Sequence, residues 1–104
     1  TGKQICLEVD SMCLDSLIEN QIIENKPDLV KIDTEGAEIK ILRGAKKISN
    51  HVNLYLVEIH EDALILEGFK NPFKSVEEEL HLLGFFYQKY VDNIHIIASK
   101  EPFR

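Results

Sequence analysis

Tryptophan is absent from this chain, and cysteine, methionine and glycine are sparse, at two, one and five of 104 residues. The two thiols, Cys6 and Cys13, form neither a C-x-x-C pair nor half of a four-ligand set, so neither a structural zinc nor a redox dithiol is indicated. They read as buried free thiols in a reducing compartment. The five glycines, Gly2, Gly36, Gly44, Gly68 and Gly84, are too scattered for any G-x-G-x-x-G loop, which removes the usual cradle for a nucleotide phosphate. No apolar run approaches the ~18 residues of a membrane helix, and the N-terminus carries no signal-peptide core. The expected location is cytoplasmic. A surplus of basic charge is also missing: 12 Lys and Arg against 18 Asp and Glu give a net charge of −6, which argues against nucleic acid and anionic membrane partners. Neither repeats nor low-complexity tracts occur. With 44% hydrophobic residues the chain has material for one small core and no more.

What is present is an alternation of short apolar runs and amphipathic stretches. Ile5, Leu7 and Val9 alternate with polar residues as in a strand, and Leu14, Leu17, Ile18 and Ile22 recur at helical spacing before Asn25-Lys26-Pro27-Asp28 breaks the pattern. Leu29-Val30-Lys31-Ile32 then runs into Asp33-Thr34-Glu35-Gly36-Ala37-Glu38, a strand feeding a helix. Ile39, Leu42, Ala45 and Ile48, widened by Ile41, predict a helix reaching a stop at Ser49-Asn50, with acids at its start and bases toward its end. A second apolar strand, Leu54 to Glu58, again ends in an acid. Ser75-Val76-Glu77-Glu78 has the form of a capping box, Val76, Leu80 and Leu83 line one helix face, and Gly84 is placed to end it. Phe85 to Tyr90 and Ile94 to Ser99 flank the polar Val91-Asp92-Asn93 and predict a terminal antiparallel hairpin.

In open α/β sheets, ligands bind beyond the carboxyl ends of parallel strands. A right-handed crossover between the two acid-tipped strands brings Asp33 and Glu58 to one sheet edge, with His60 directly following. Two readings of the first acid stand together: Asp33 belongs to a site, or Asp33 or Thr34 caps the helix while Glu35 and Glu38 favour its positive end. Gly36, between two acids at the turn, is placed for a positive φ or a close approach of ligand to backbone. His51, His81 and His95 have no comparable placement and read as surface or capping residues. Tyr87 and Tyr90 read as packing residues.

Leu29-Val30-Lys31-Ile32-Asp33-Thr34-Glu35-Gly36-Ala37-Glu38, then Leu42-Arg43-Gly44-Ala45 and Leu56-Val57-Glu58-Ile59-His60, closely resemble the FkbM-type methyltransferases. Val9-Asp10-Ser11-Met12-Cys13-Leu14-Asp15-Ser16-Leu17 resembles the segment preceding that motif. The resemblance implies a Rossmann-like class I methyltransferase sheet, S-adenosyl-L-methionine as cofactor, and methyl transfer to an oxygen of a sugar or other small metabolite. The glycine-rich turn and the acid that hold the cofactor in such folds have no counterpart here, so residues 1–104 read as one partial domain, the C-terminal half. Its partners would be a small hydroxyl acceptor and the missing N-terminal half, with homo-oligomerisation through an exposed sheet edge as a further expectation. On its own the chain is expected to be inactive. By the same resemblance Asp33 lies beside the reacting methyl or the acceptor, Glu35 at the pocket mouth, and Glu58 with His60 orients the acceptor. Asp33 and Gly36 fall on the cofactor side, and no metal ligand is assigned. Two other classes stay open: an acidic site holding a divalent cation for hydrolysis or phosphoryl transfer, and a non-catalytic interaction or folding module.

Overall fold

A computed structural model describes residues 4–7, as backbone alone, and 29–103. The helix expected over Leu14 to Ile22, the segment around Cys13 and the side chain of Cys6 lie outside the described residues. The chain folds as an α/β structure. Strands β1 (Gln4–Leu7), β2 (Leu29–Ile32) and β3 (Leu54–Glu58) run parallel, and β5 (His95–Ser99) lies antiparallel between β3 and β4 (Tyr87–Tyr90). The order across the mixed sheet is β1-β2-β3-β5-β4. The last strand therefore does more than close a hairpin: it inserts beside β3, pairing Glu58 with His95 and Val57 with Ile96.

Alternation along the strands explains the layering. Val30, Ile32, Tyr55, Val57, Ile96 and Ala98 point to one face and are fully shielded from water. Helices α1 (Glu38–Arg43) and α3 (Pro72–Leu82) cover that face with Ile39, Ile41, Leu42, Val76 and Leu80. The core thus lies between one sheet face and two helices. At about 25 cal/mol per Å2, each of these aliphatic side chains contributes on the order of 1.5–3 kcal/mol. The intervening residues Lys31, Leu56 and Ile97 are only half-buried.

Three boundaries differ from the sequence-based expectation. Helix α1 ends at Arg43 rather than near Asn50, because the chain turns at Gly44 and re-enters a short 3-10 turn over Ile48–Asn50. Helix α3 begins three residues before Ser75: Pro72 occupies its first turn, where a missing N–H costs nothing, and Asn71 Oδ1 accepts from the Lys74 backbone N–H at 3.4 Å. The capping-box pattern at Ser75 therefore sits inside the helix. The third is an additional helix, α2 (Glu61–Leu66), which the apolar periodicity did not announce. Its end is well signalled: Phe69 N–H bonds the Leu64 carbonyl and Gly68 N–H the Ile65 carbonyl, with Gly68 at φ +103°. Gly84 ends α3 the same way, at φ +96°, as expected.

Candidate functional site

Strands β2 and β3 stop side by side, Ile32 being paired with Val57, so the residues that follow them emerge at the same edge. Asp33, Glu58 and His60 converge there. His60 Nε2 lies 3.3 Å from Glu58 Oε2 and 3.8 Å from Asp33 Oδ1. One ligand atom from each of the three falls within 4.8 Å of the others, a set of two carboxylates and an imidazole able to hold a hard divalent cation. The Asp33 carboxyl, hydrogen-bonded to Glu58 and carrying the same charge, pushes Glu58 above the ordinary carboxylate range; burial adds to this, while His60 and His95 oppose it.

Neither Asp33 nor Thr34 caps α1. That helix begins at Glu38 behind Ala37, without a side-chain cap, which removes the capping explanation of Asp33. Glu38 departs furthest from expectation. Instead of an exposed helix-terminus charge it is 0% exposed. Its Oε1 accepts from the Thr34 hydroxyl at 3.0 Å and the Gly36 N–H at 2.8 Å, and its Oε2 accepts from the His60 N–H at 2.9 Å. A carboxylate out of water costs several kcal/mol unless its lone pairs are satisfied, and three donors from two separate loops do that here.

Gly36 sits at φ +98°, the left-handed region where a side chain is strained. A Cβ there would come within 3.1 Å of the Ala63 Cβ, so the close approach at this turn is made by α2. Glu35 is exposed and stands apart from the trio. It lines, with His60, Glu61, Asp62, Phe73 and Ile94, an open cavity of about 410 Å3 beside the cluster. His60 belongs to both.

His95, expected to be a surface residue, is a neighbour of the site. Its Nε2 lies 3.4 Å from Glu58 Oε1, and its Nδ1 2.8 Å from Asp92 Oδ2. Asp92 also accepts from the backbone N–H groups of Ile94 and His95, which hold its carboxyl below the usual range. Only the pairing of β5 with β3 brings His95 here, a non-local event that its sequence neighbourhood does not advertise. His81 and Tyr90 remain outside: His81 stacks edge-on against Phe86, and the Tyr90 hydroxyl donates to Glu77.

The model of the FkbM methyltransferase domain matches residues 3–87, spanning both acid-tipped strands and every residue of the Asp33, Glu58 and His60 cluster. The chain belongs to that family. A stretch of 54 residues is 35% identical to the hexuronic acid methyltransferase AglP of Haloferax volcanii, covering 48% of this chain and 23% of that protein. No solved structure matches this FkbM-domain chain. Among its described residues no helix is long and apolar enough to cross a membrane.

Proposed function

We propose that this FkbM domain takes part in S-adenosyl-L-methionine-dependent methylation of a hydroxyl oxygen on a sugar or similar small metabolite. In this reading the sheet is the C-terminal part of a Rossmann-like class I methyltransferase, with the acceptor seated over the ends of β2 and β3. The observation that carries it is the convergence of Asp33, Glu58 and His60 within a chain of this family. When bound, S-adenosyl-L-methionine supplies an electrophilic methyl on a sulfonium cation. The carboxylate of Asp33 is the group on this chain suited to that charge, and Gly36 serves the site through the turn that carries Asp33, its N–H being held by Glu38.

An alcohol attacks a methyl carbon only as its proton leaves, so a positioned base is worth about 10²- to 10⁴-fold. Asp33, Glu58 and His60 present acceptor atoms to one small volume, where a substrate hydroxyl could hand over its proton. The cavity beside them fits a polyhydroxylated acceptor: Glu35, Glu61 and Asp62 offer oxygens to hydroxyl groups, and Phe73 contributes an apolar wall. The test is release of S-adenosylhomocysteine by the complete protein, offered neutral sugars, amino sugars and uronic acids in turn. No release with any of them under conditions where the protein is folded would sink the proposal.

A second reading rests on the same three side chains. A magnesium or manganese ion held by Asp33, Glu58 and His60 would orient the acceptor hydroxyl and ease its deprotonation, within methyl transfer rather than hydrolysis. Calorimetric titration of the protein with manganese(II), in wild type and in Asp33→Asn, separates this from metal-free chemistry: heat lost in the variant supports an ion, and no heat in either excludes it.

A further inference from the structure

Glu38 is the one charged side chain in the described core, and it reaches across to a loop 22 residues away. Its Oε1 is spent on the turn that follows Asp33, through Thr34 and Gly36, and its Oε2 on the backbone N–H of His60. The same Oε2 faces the His60 ring at Nδ1, 3.5 Å away. That nitrogen is closed off from solvent and has no hydrogen-bond partner in the structure, the Glu38 carboxyl being the acceptor it faces. Both ring nitrogens face carboxylates, Nε2 the nearer at 3.3 Å, but Glu58 and Asp33 are partly open to water whereas Glu38 is not, so a lone pair is worst placed on Nδ1 and the proton belongs there. The ring's remaining lone pair, on Nε2, is then directed at the space bounded by Asp33 and Glu58.

We propose that Glu38 is a positioning residue of the methyl-transfer site: it ties the Asp33 turn to the His60 loop and holds His60 as the Nδ1–H tautomer, so that Nε2 is the acceptor facing the substrate hydroxyl. The functional part rests on the methyltransferase reading, whereas the tautomer does not. A histidine that turns one ring N–H toward a carboxylate is held in one tautomer and one ring orientation, by the same physics that orders histidines around metals. A purely structural Glu38 would instead stabilise the two loops and leave the tautomer to chance.

The first measurement needs no variant. In metal-free buffer, with the ring neutral, imidazole 15N shifts of the complete protein should report His60 as Nδ1–H; a dominant Nε2–H form overturns the proposal. Glu38→Gln, which keeps shape and loses the charge, should move His60 toward Nε2–H and lower kcat by about tenfold or more with KM for the acceptor changed less than about twofold. A Glu38→Gln protein that melts lower but keeps the tautomer and kcat assigns Glu38 a merely structural role and overturns the proposal. Should that variant fail to fold, the wild-type tautomer decides alone. Wild-type protein inactive on every acceptor, yet showing His60 as Nδ1–H, counts against the methyltransferase reading and upholds the tautomer alone.

Discussion

At the start of β3, the Tyr55 hydroxyl meets Ser49 Oγ at 2.7 Å, and its ring packs edge-on against Phe85 at 4.8 Å between centroids, all three side chains out of water. Three residues further along the same strand, Glu58 meets the Asp33 carboxyl and faces two imidazoles, His60 at 3.3 Å and His95 at 3.4 Å. The first end is paired: a hydroxyl with a hydroxyl, an aromatic edge with an aromatic ring. The second sets one carboxyl against another, a repulsion that the two imidazoles only oppose. A strand that settles its groups at one end and crowds like charges at the other has a stability end and a ligand end, because such crowding persists where something else compensates it when bound.

The largest effect should come from the settled end. Phe85 is fully buried and follows the glycine cap of α3, so its ring holds both the helix terminus and Tyr55 in place. Phe85→Ala should cost about 3–5 kcal/mol, read by chemical or thermal unfolding, through lost burial and the cavity left behind. A loss below about 1 kcal/mol would mean that this end tolerates disorder as well as the other does.

Next comes the crowded end. Asp33→Asn keeps the shape and removes a charge that already repels Glu58. Turnover of the complete protein should fall roughly 10²-fold or more, while its melting temperature stays level or rises. An Asp33→Asn protein with full turnover would place the site elsewhere, and one that loses stability instead would make Asp33 part of the scaffold.

Gly36 lies between the two regimes, a backbone requirement at the edge of the site. Alanine there meets both a left-handed φ and the Ala63 methyl at 3.1 Å, so Gly36→Ala should cost about 1–3 kcal/mol of stability. The same substitution at Gly68, where nothing lies within 4 Å of the added Cβ, carries the φ cost without the contact and should be milder. Equal losses at the two positions would show that Ala63 yields freely.

The two ends were not equally legible in the sequence. The strands β2 and β3 and the cap at Gly84 follow from local pattern: short apolar runs that end in an acid, and a glycine after a helical stripe. The placement of Asp33, Glu58 and His60 at one edge needed only the added rule for parallel crossovers. Glu38 was misread because, within its own helix, an acid in the first turn looks satisfied by the dipole. Its burial depends on a His60 N–H that arrives from another strand. His95 was missed for a related reason, since β5 joins β3 rather than only β4. Helix α2 escaped because Ile65 and Leu66 are apolar yet 50% and 89% exposed, which blurs any helical stripe. What local pattern encodes could be read, and what non-local pairing creates could not.

The smallest effect is the most direct probe of the crowding itself. Glu58 binds its proton more tightly in the folded protein than at its ordinary value of 4.5, the Asp33 carboxyl being the main cause. The fold therefore gains from a protonated Glu58 at low pH, and that contribution is lost as pH rises from about 4.5 through the raised folded value. Glu58→Gln removes this dependence, since glutamine carries no charge at any pH. At pH 8 the variant should melt slightly above wild type, since it lacks the charge that Asp33 opposes. Near pH 4, where wild-type Glu58 is itself largely protonated, the two should melt together. Paired thermal scans at the two pH values check this. A variant that melts below wild type at pH 8 would show that His60 and His95 attract Glu58 more strongly than Asp33 repels it, and the ligand end of β3 would then be as well paired as the other.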